Sequence, residues 1–316
     1  MINNTFDLSE FENSKGERKK QLINELDKIC RNTGFILVTG HGIDKKIINN
    51  IWSVIDSFFD QAIDCKKKTK PPYKGYPYGY LSYGLEALAQ SKGEDTPPDL
   101  KESFNIGPQS IPASITQQEA LDFCYVPSLW PDIKNFKMYS LEYYNAMEKL
   151  ALKIMRALAL ALNLDNIFFD SYVDEPISAL RMLNYPPIKN KVLPKQQMAG
   201  AHTDYGSLTI LLTKDETKGL QIKNIEGKWL DIPYNSEAFI VNIGDLMAQW
   251  TNDRWVSTLH RVVPNSNNLP RRSIAFFHQP NWNAEIECLD SCKGQKIKYK
   301  PVKSGPYLMS KFKSTL

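Results

Sequence analysis

Gly200-Ala-His202-Thr-Asp204-Tyr-Gly-Ser-Leu-Thr-Ile-Leu211 is the stretch on which the reading of this chain turns. In an extended strand, residues i and i+2 project to one face, so His202 and Asp204 stand together while Thr203 points away. An imidazole nitrogen and a carboxylate oxygen are two of the three ligands in a 2-His-1-carboxylate facial triad. A His-x-Asp pair alone is more often a surface or hydrogen-bonding pair, so a third ligand is needed. The chain has only four histidines, His41, His202, His260 and His278. His260, in Ser257-Thr-Leu-His260-Arg-Val-Val-Pro264, supplies that ligand from a neighbouring strand. Three protein ligands leave about three positions for cosubstrate and oxygen, as a non-haem Fe(II) oxygenase requires.

Ten residues separate His260 from Arg271-Arg272-Ser273-Ile-Ala-Phe-Phe277. Strand alternation puts Arg271, Ser273, Ala275 and Phe277 on one face, and Arg272, Ile274 and Phe276 on the other. Arg271 and Ser273 can hold a carboxylate together, the guanidinium by its fork and the hydroxyl by a third hydrogen bond. Arg272 reads as a surface charge. His41, in Gly-His-Gly, and His278, at a strand end, read as structural.

Outward from this stretch, short strands are expected from about residue 176, at 181–185, 207–212, 220–222, 239–243, 258–263 and 273–278. Strands at this spacing predict a sandwich, jelly roll or barrel. Upstream, apolar spacing predicts helices over 17–33, from Ile47 to Phe59 and over 139–163, with a short buried strand at Phe35–Thr39. Residues 66–110 hold a lysine run and a loop rich in tyrosine, glycine and proline. The expected class is mainly β with helices (α+β): one globular unit over 1–316, with a helical N-terminal region (1–110) packed on and supporting a β-rich catalytic region (176–285).

With 316 residues, 42% hydrophobic and 23% charged, the chain can bury a sizeable core. A net charge of +4 is too mild for a dedicated nucleic-acid or acidic-membrane binder. The most apolar run, around Leu150 to Leu162, is broken by Lys153 and Arg156, so no membrane helix is expected. Met1-Ile-Asn-Asn-Thr-Phe-Asp7 lacks a secretory pattern. Five cysteines without a CxxC pair read as reduced thiols in a cytoplasmic protein, and a metal shared by Cys288 and Cys292 is disfavoured.

Taken together, these motifs resemble the Fe(II)- and 2-oxoglutarate-dependent dioxygenases of the isopenicillin N synthase-like superfamily. The likeness covers nearly the whole chain. It includes Leu180-Arg-Met-Leu-Asn-Tyr185-Pro-Pro, Val241-Asn-Ile-Gly244-Asp245, Gly34-Phe35 through His41-Gly42-Ile43, and Lys101-Glu-Ser-Phe104-Asn-Ile-Gly107. The resemblance implies a double-stranded β-helix (jelly roll) holding Fe(II) through His202, Asp204 and His260. It implies that Arg271, Ser273 and Tyr185 hold the distal carboxylate of 2-oxoglutarate. The implied reaction uses O2 to couple decarboxylation of 2-oxoglutarate to C–H oxidation, most often hydroxylation, with desaturation or ring closure as variants.

Within that fold two alternatives stay open: an isopenicillin N synthase-like oxidase that uses Fe(II) and O2 without 2-oxoglutarate, and an ethylene-forming 2-oxoglutarate enzyme. A zinc hydrolase would have no use for the Arg271/Ser273 clamp. A non-catalytic binding protein would be expected to have lost a ligand. Candidate substrate residues are Arg181, Tyr78, Tyr80, Phe104, Phe277 and Trp282. Their aromatic character favours a small, partly apolar or ring-containing metabolite as partner, acted on by a monomer with no nucleic acid or membrane involved.

Overall fold

Alternation along Arg271–His278 organises the whole molecule, because this strand lies near the middle of the largest sheet among the described residues. The computed structural model describes residues 4–188, 191–214, 218–264, 268–294 and 296–313. Met1, Ile2 and Asn3, part of the stretch read for a leader, lie outside them. The strands are β1 (Thr5–Asp7), β2 (Phe35–Thr39), β3 (Gly79–Leu81), β4 (Glu102–Ile106), β5 (Ala179–Tyr185), β6 (Ala199–His202) and β7 (Leu208–Thr213). They continue with β8 (Leu220–Lys223), β9 (Trp229–Asp231), β10 (Phe239–Ile243), β11 (His260–Val262) and β12 (Arg271–His278). A final hairpin pairs β13 (Glu285–Ile286) with β14 (Val302–Lys303).

Among the described residues, eight strands form one sheet in the order β1-β2-β10-β7-β12-β5-β4-β3, and four form a second in the order β6-β11-β8-β9. Among the described strands only the β1–β2 pairing is parallel. Leu37, Ile240, Ala275 and Leu183 of the large sheet share an apolar cluster with Ala199, Leu220, Ile222 and Val262 of the small one. The two sheets therefore face each other as the halves of a jelly roll.

The opposite face of the large sheet carries the main core. The residues one step out of phase, Phe104, Met182, Ile274, Phe276 and Val241, pack there against helices. These helices are α1 (Leu8–Asn13), α2 (Gly16–Asn32), α3 (Lys45–Phe59), α4 (Ile63–Lys66), α5 (Gln118–Phe123), α6 (Phe136–Ala161), α7 (Asp245–Trp250) and α8 (Ser304–Lys313). In α6, Tyr143, Met147, Leu150, Ile154 and Leu158 recur at three- and four-residue steps, which places a continuous apolar stripe against the sheet and α3. Each such fully buried side chain contributes on the order of 1.5–3 kcal/mol.

Two expectations change here. The N-terminal region is more than a helical support, since its strands β1 to β4 enter the large sheet, with β2 beside β10 and β4 beside β5. Arg272 is not a free surface charge: it reaches Asp56 and Asp60 around α3 and donates from Nε to Asn184 Oδ1 at 3.1 Å. It ties the helical layer to the sheet. Among the described residues, no helix is long and apolar enough to cross a membrane.

Candidate active site

His202 ends β6 and His260 begins β11, and the two are direct cross-strand partners with ring centroids 4.3 Å apart. Each imidazole is oriented by a carbonyl two residues earlier. His202 Nδ1 donates to Gly200 O at 2.7 Å and His260 Nδ1 to Thr258 O at 3.0 Å. With those protons on Nδ1, both Nε2 lone pairs are free, and each Nε2 lies 3.7 Å from Asp204 Oδ1. Asp204 sits just beyond the end of β6 rather than within it. Its Oδ2 accepts from Thr209 Oγ1 at 2.6 Å and Asn242 Nδ2 at 2.8 Å, which turns Oδ1 toward the histidines.

The three ligand atoms lie within 4.8 Å of one another. This donor set, two imidazole nitrogens and a carboxylate held on one side, suits a divalent first-row metal and leaves the other side open. Burial, reinforced by His260, depresses the His202 pKa to about 3, so the ring stays neutral. Burial alone would raise the Asp204 pKa, but the facing imidazoles and the two hydrogen bonds outweigh it and keep the carboxyl below its ordinary value.

Facing these ligands is a cavity of about 210 Å³ between the sheets. The predicted parity of β12 holds, since Arg271, Ser273, Ala275 and Phe277 all line it. Tyr185 and Arg181 line it too, brought in by the β5–β12 register that pairs Tyr185 with Arg271 and Arg181 with Ala275. Arg271 is only 1% exposed. It lies over the Tyr185 ring at 5.0 Å and donates from Nη1 to Ser273 Oγ at 3.2 Å, while its Nε has no partner among the described residues. No described carboxylate pairs with it, and burial lowers its pKa. A buried cation with unused donors is a site for an anion.

Of the proposed substrate residues, Arg181, Tyr78 and Phe277 line the cavity. Tyr80, Phe104 and Trp282 do not. Phe104 and Tyr80 are paired across β3 and β4 on the helical face, where both pack on Phe58, and Tyr80 donates to Glu102 Oε2 at 2.5 Å. Trp282 is buried against Gly305 at the start of α8, in a cluster behind the cavity wall. His41 accepts the Ile43 N–H on Nδ1 and packs edge-on against Phe239, which fits its structural reading. Cys288 and Cys292 do not join any metal-type cluster among the described residues.

Residues missed in sequence complete the site. Asn242 and Thr209 fix Asp204, and Lys101, Asn105, Phe123 and Gln279 line the cavity. From the far end of the chain, α8 adds Leu308 and Phe312. Asn242 was within reach, because it sits in the Val241–Asp245 segment already singled out.

Residues 176–280 match the 2OG-Fe(II) oxygenase superfamily, and residues 4–133 match the non-haem dioxygenase N-terminal family described from morphine synthesis. A 2-oxoglutarate-Fe(II) type oxidoreductase of Emericella nidulans is 32% identical over 94% of this chain and 85% of its own length. A homoarginine-6-hydroxylase of Arabidopsis thaliana is 34% identical over 86% of this chain and 81% of its own. A full-length Neurospora crassa protein, solved with alpha-KG and thymine, superposes with a TM-score of 0.85 at 30% identity, covering 98% of this chain and 96% of that one.

Proposed function

Because the chain belongs to the 2OG-Fe(II) oxygenase superfamily, we propose that it hydroxylates a small ring-containing metabolite, with His202, Asp204 and His260 holding Fe(II) and Arg271, Ser273 and Tyr185 holding 2-oxoglutarate. The observation that carries this reading is the pairing of two incomplete groups in one cavity. Three ligand atoms converge from one side, and a buried guanidinium without a counter-ion among the described residues stands on the other. A dianion that chelates a metal at one end and ends in a carboxylate at the other completes both. The alpha-KG complexes of the Neurospora crassa protein favour 2-oxoglutarate over an oxidase that dispenses with it.

Bound Fe(II) and 2-oxoglutarate supply the O2 chemistry that oxidises a C–H bond. The chain's own residues do the rest. Gly200 O and Thr258 O fix both imidazole tautomers, while Asn242 and Thr209 fix the carboxylate. Arg271 and Ser273 set the depth and direction of the cosubstrate. Phe277, Tyr78 and Phe123 give the cavity apolar ring-sized walls that exclude water, and Arg181 and Asn105 add hydrogen-bonding groups. Thymine in the Neurospora crassa complex supports a planar ring as substrate.

The test is a screen of purified protein with Fe(II), 2-oxoglutarate and O2 against neutral and charged ring compounds beside acyclic ones. Expected is succinate formed in step with a product heavier by one oxygen, from a ring compound. Coupled turnover confined to acyclic or highly charged compounds would contradict the substrate class. Oxidation without any need for 2-oxoglutarate would contradict the cosubstrate.

A further inference from the structure

Four charged side chains meet beside the cavity, apart from the metal trio. Lys101 Nζ lies 2.7 Å from Asp99 Oδ2 and 3.3 Å from Glu86 Oε2. Glu86 reaches Arg181 Nη1 with its other oxygen at 3.2 Å. Asp99 is tied down by the Gly200 N–H at 2.8 Å and the Leu88 N–H at 3.2 Å. Two cations and two carboxylates cancel. Burial works against the charge on Glu86, but Arg181 and Lys101 outweigh it and lower its pKa to about 2, so the cluster stays ionised and neutral in sum. Lys92, the other nearby cation, is exposed and donates from Nζ to Thr203 Oγ1 at 2.6 Å.

Arg181 is therefore unlike Arg271, although both line the same cavity. Arg271 has no counter-ion among the described residues. Arg181 has Glu86, and it also donates from Nε to Asn105 Oδ1 at 3.0 Å. Its guanidinium lies 5.9 Å from the Phe277 ring at the cavity wall. What it presents to the cavity is a donor edge whose charge is already balanced. An anion placed there meets Glu86 and a cation meets Arg181 and Lys101, and either one adds a desolvated charge with no free partner. An uncharged acceptor incurs no such penalty.

Building on the ring-substrate reading above, we infer that the substrate end of the cavity selects an uncharged planar compound. Its carbonyl or ring-nitrogen acceptor meets the Arg181 guanidinium while its ring lies against Phe277. Glu86, by cancelling the charge of Arg181, is the residue that sets this preference.

The test uses three flat probes of one size, benzamide, benzoate and benzamidinium. Each is titrated calorimetrically into anaerobic protein loaded with Fe(II) and 2-oxoglutarate, whose visible band is read in the same samples. Expected is benzamide binding at least tenfold more tightly than either ion. In Glu86→Gln the order of benzamide and benzoate should reverse, with the 2-oxoglutarate band unchanged. Arg181→Gln, as a second variant, should abolish the benzamide preference. Equal or better binding of an ion to the wild-type protein, no binding of any probe, or an order unmoved in both variants would overturn the inference. A missing 2-oxoglutarate band would instead count against the cosubstrate reading, so the two failures are separable.

Discussion

The two faces of the eight-stranded sheet are built from the same strands and do opposite work. On the helical face, row after row is closed: Phe104, Met182, Ile274 and Leu212 lie side by side across four strands. Even its charges are paired, with Lys66 on Glu102, Glu102 on Asn184, and Arg272 on Asn184 and Asp56. One residue along, the cavity face runs Asn105, Arg181, Ala275, Leu211 and Ile240, and leaves donors unused. Arg271 and Arg272 are chain neighbours, yet one lies buried in the cavity wall with an unpartnered Nε among the described residues and the other is a structural clamp. Pleating alone separates the roles, so a one-residue slip would exchange them. The catalytic face can keep open valences because the opposite face supplies the packing that holds it rigid.

The sharpest way to break this comparison is the pair Phe276→Ala and Phe277→Ala. Phe276, fully buried against Tyr144, should cost about 3–5 kcal/mol of unfolding free energy. Phe277 should cost far less in urea unfolding and instead weaken substrate binding. Similar stability losses from both would contradict the division of faces.

Next is Arg271→Gln, expected to weaken 2-oxoglutarate binding by about 2–5 kcal/mol while the metal still loads, as read by anaerobic titration. His278 sharpens the comparison on the helical side, where its Nδ1 meets Ser207 Oγ at 2.7 Å. Burial lowers its pKa from 6.5 to about 4, so below pH 6.5 the unfolded chain binds the extra proton. Its contribution should be complete above pH 6.5 and decline as pH falls toward 4, by about 3 kcal/mol in all. Urea midpoints of wild type and His278→Gln across that window check it, and parallel pH dependence of the two would count against it. The smallest effect belongs to Arg272→Gln, about 1–2 kcal/mol because Asp60 is largely exposed while Asp56 is half-buried, with unchanged 2-oxoglutarate binding.

Much of the catalytic face was legible because its chemistry needs rare residues at fixed phase. With four histidines, His202 and His260 had few competitors, and the Arg271/Ser273 spacing follows directly from pleating. The aromatic residues were ambiguous for a physical reason. Phenylalanine and tyrosine suit a core as well as a binding wall, and only the register of β4 against β5 shows that Phe104 faces Met182 and the helices. Tyr78, just ahead of β3 and two residues from Tyr80, nevertheless fell on the cavity side. Strand β4 was missed because its partner β5 lies more than seventy residues downstream, and β3, at the sheet edge, pairs with β4 alone. The charge cluster of Glu86, Asp99, Lys101 and Arg181 exists only once those strands are assembled. Helix α8 is weakly amphipathic, and its role at the cavity depends on Leu308 and Phe312 meeting residues near Phe123.

The most direct test of the central claim is the anaerobic visible spectrum of the protein with Fe(II), before and after 2-oxoglutarate, in wild type, Arg271→Gln and Arg272→Gln. The expected result is a charge-transfer band that needs both additions, persists in Arg272→Gln, and in Arg271→Gln requires far more 2-oxoglutarate. A band equally sensitive to both arginines, or no band despite bound iron, would contradict it.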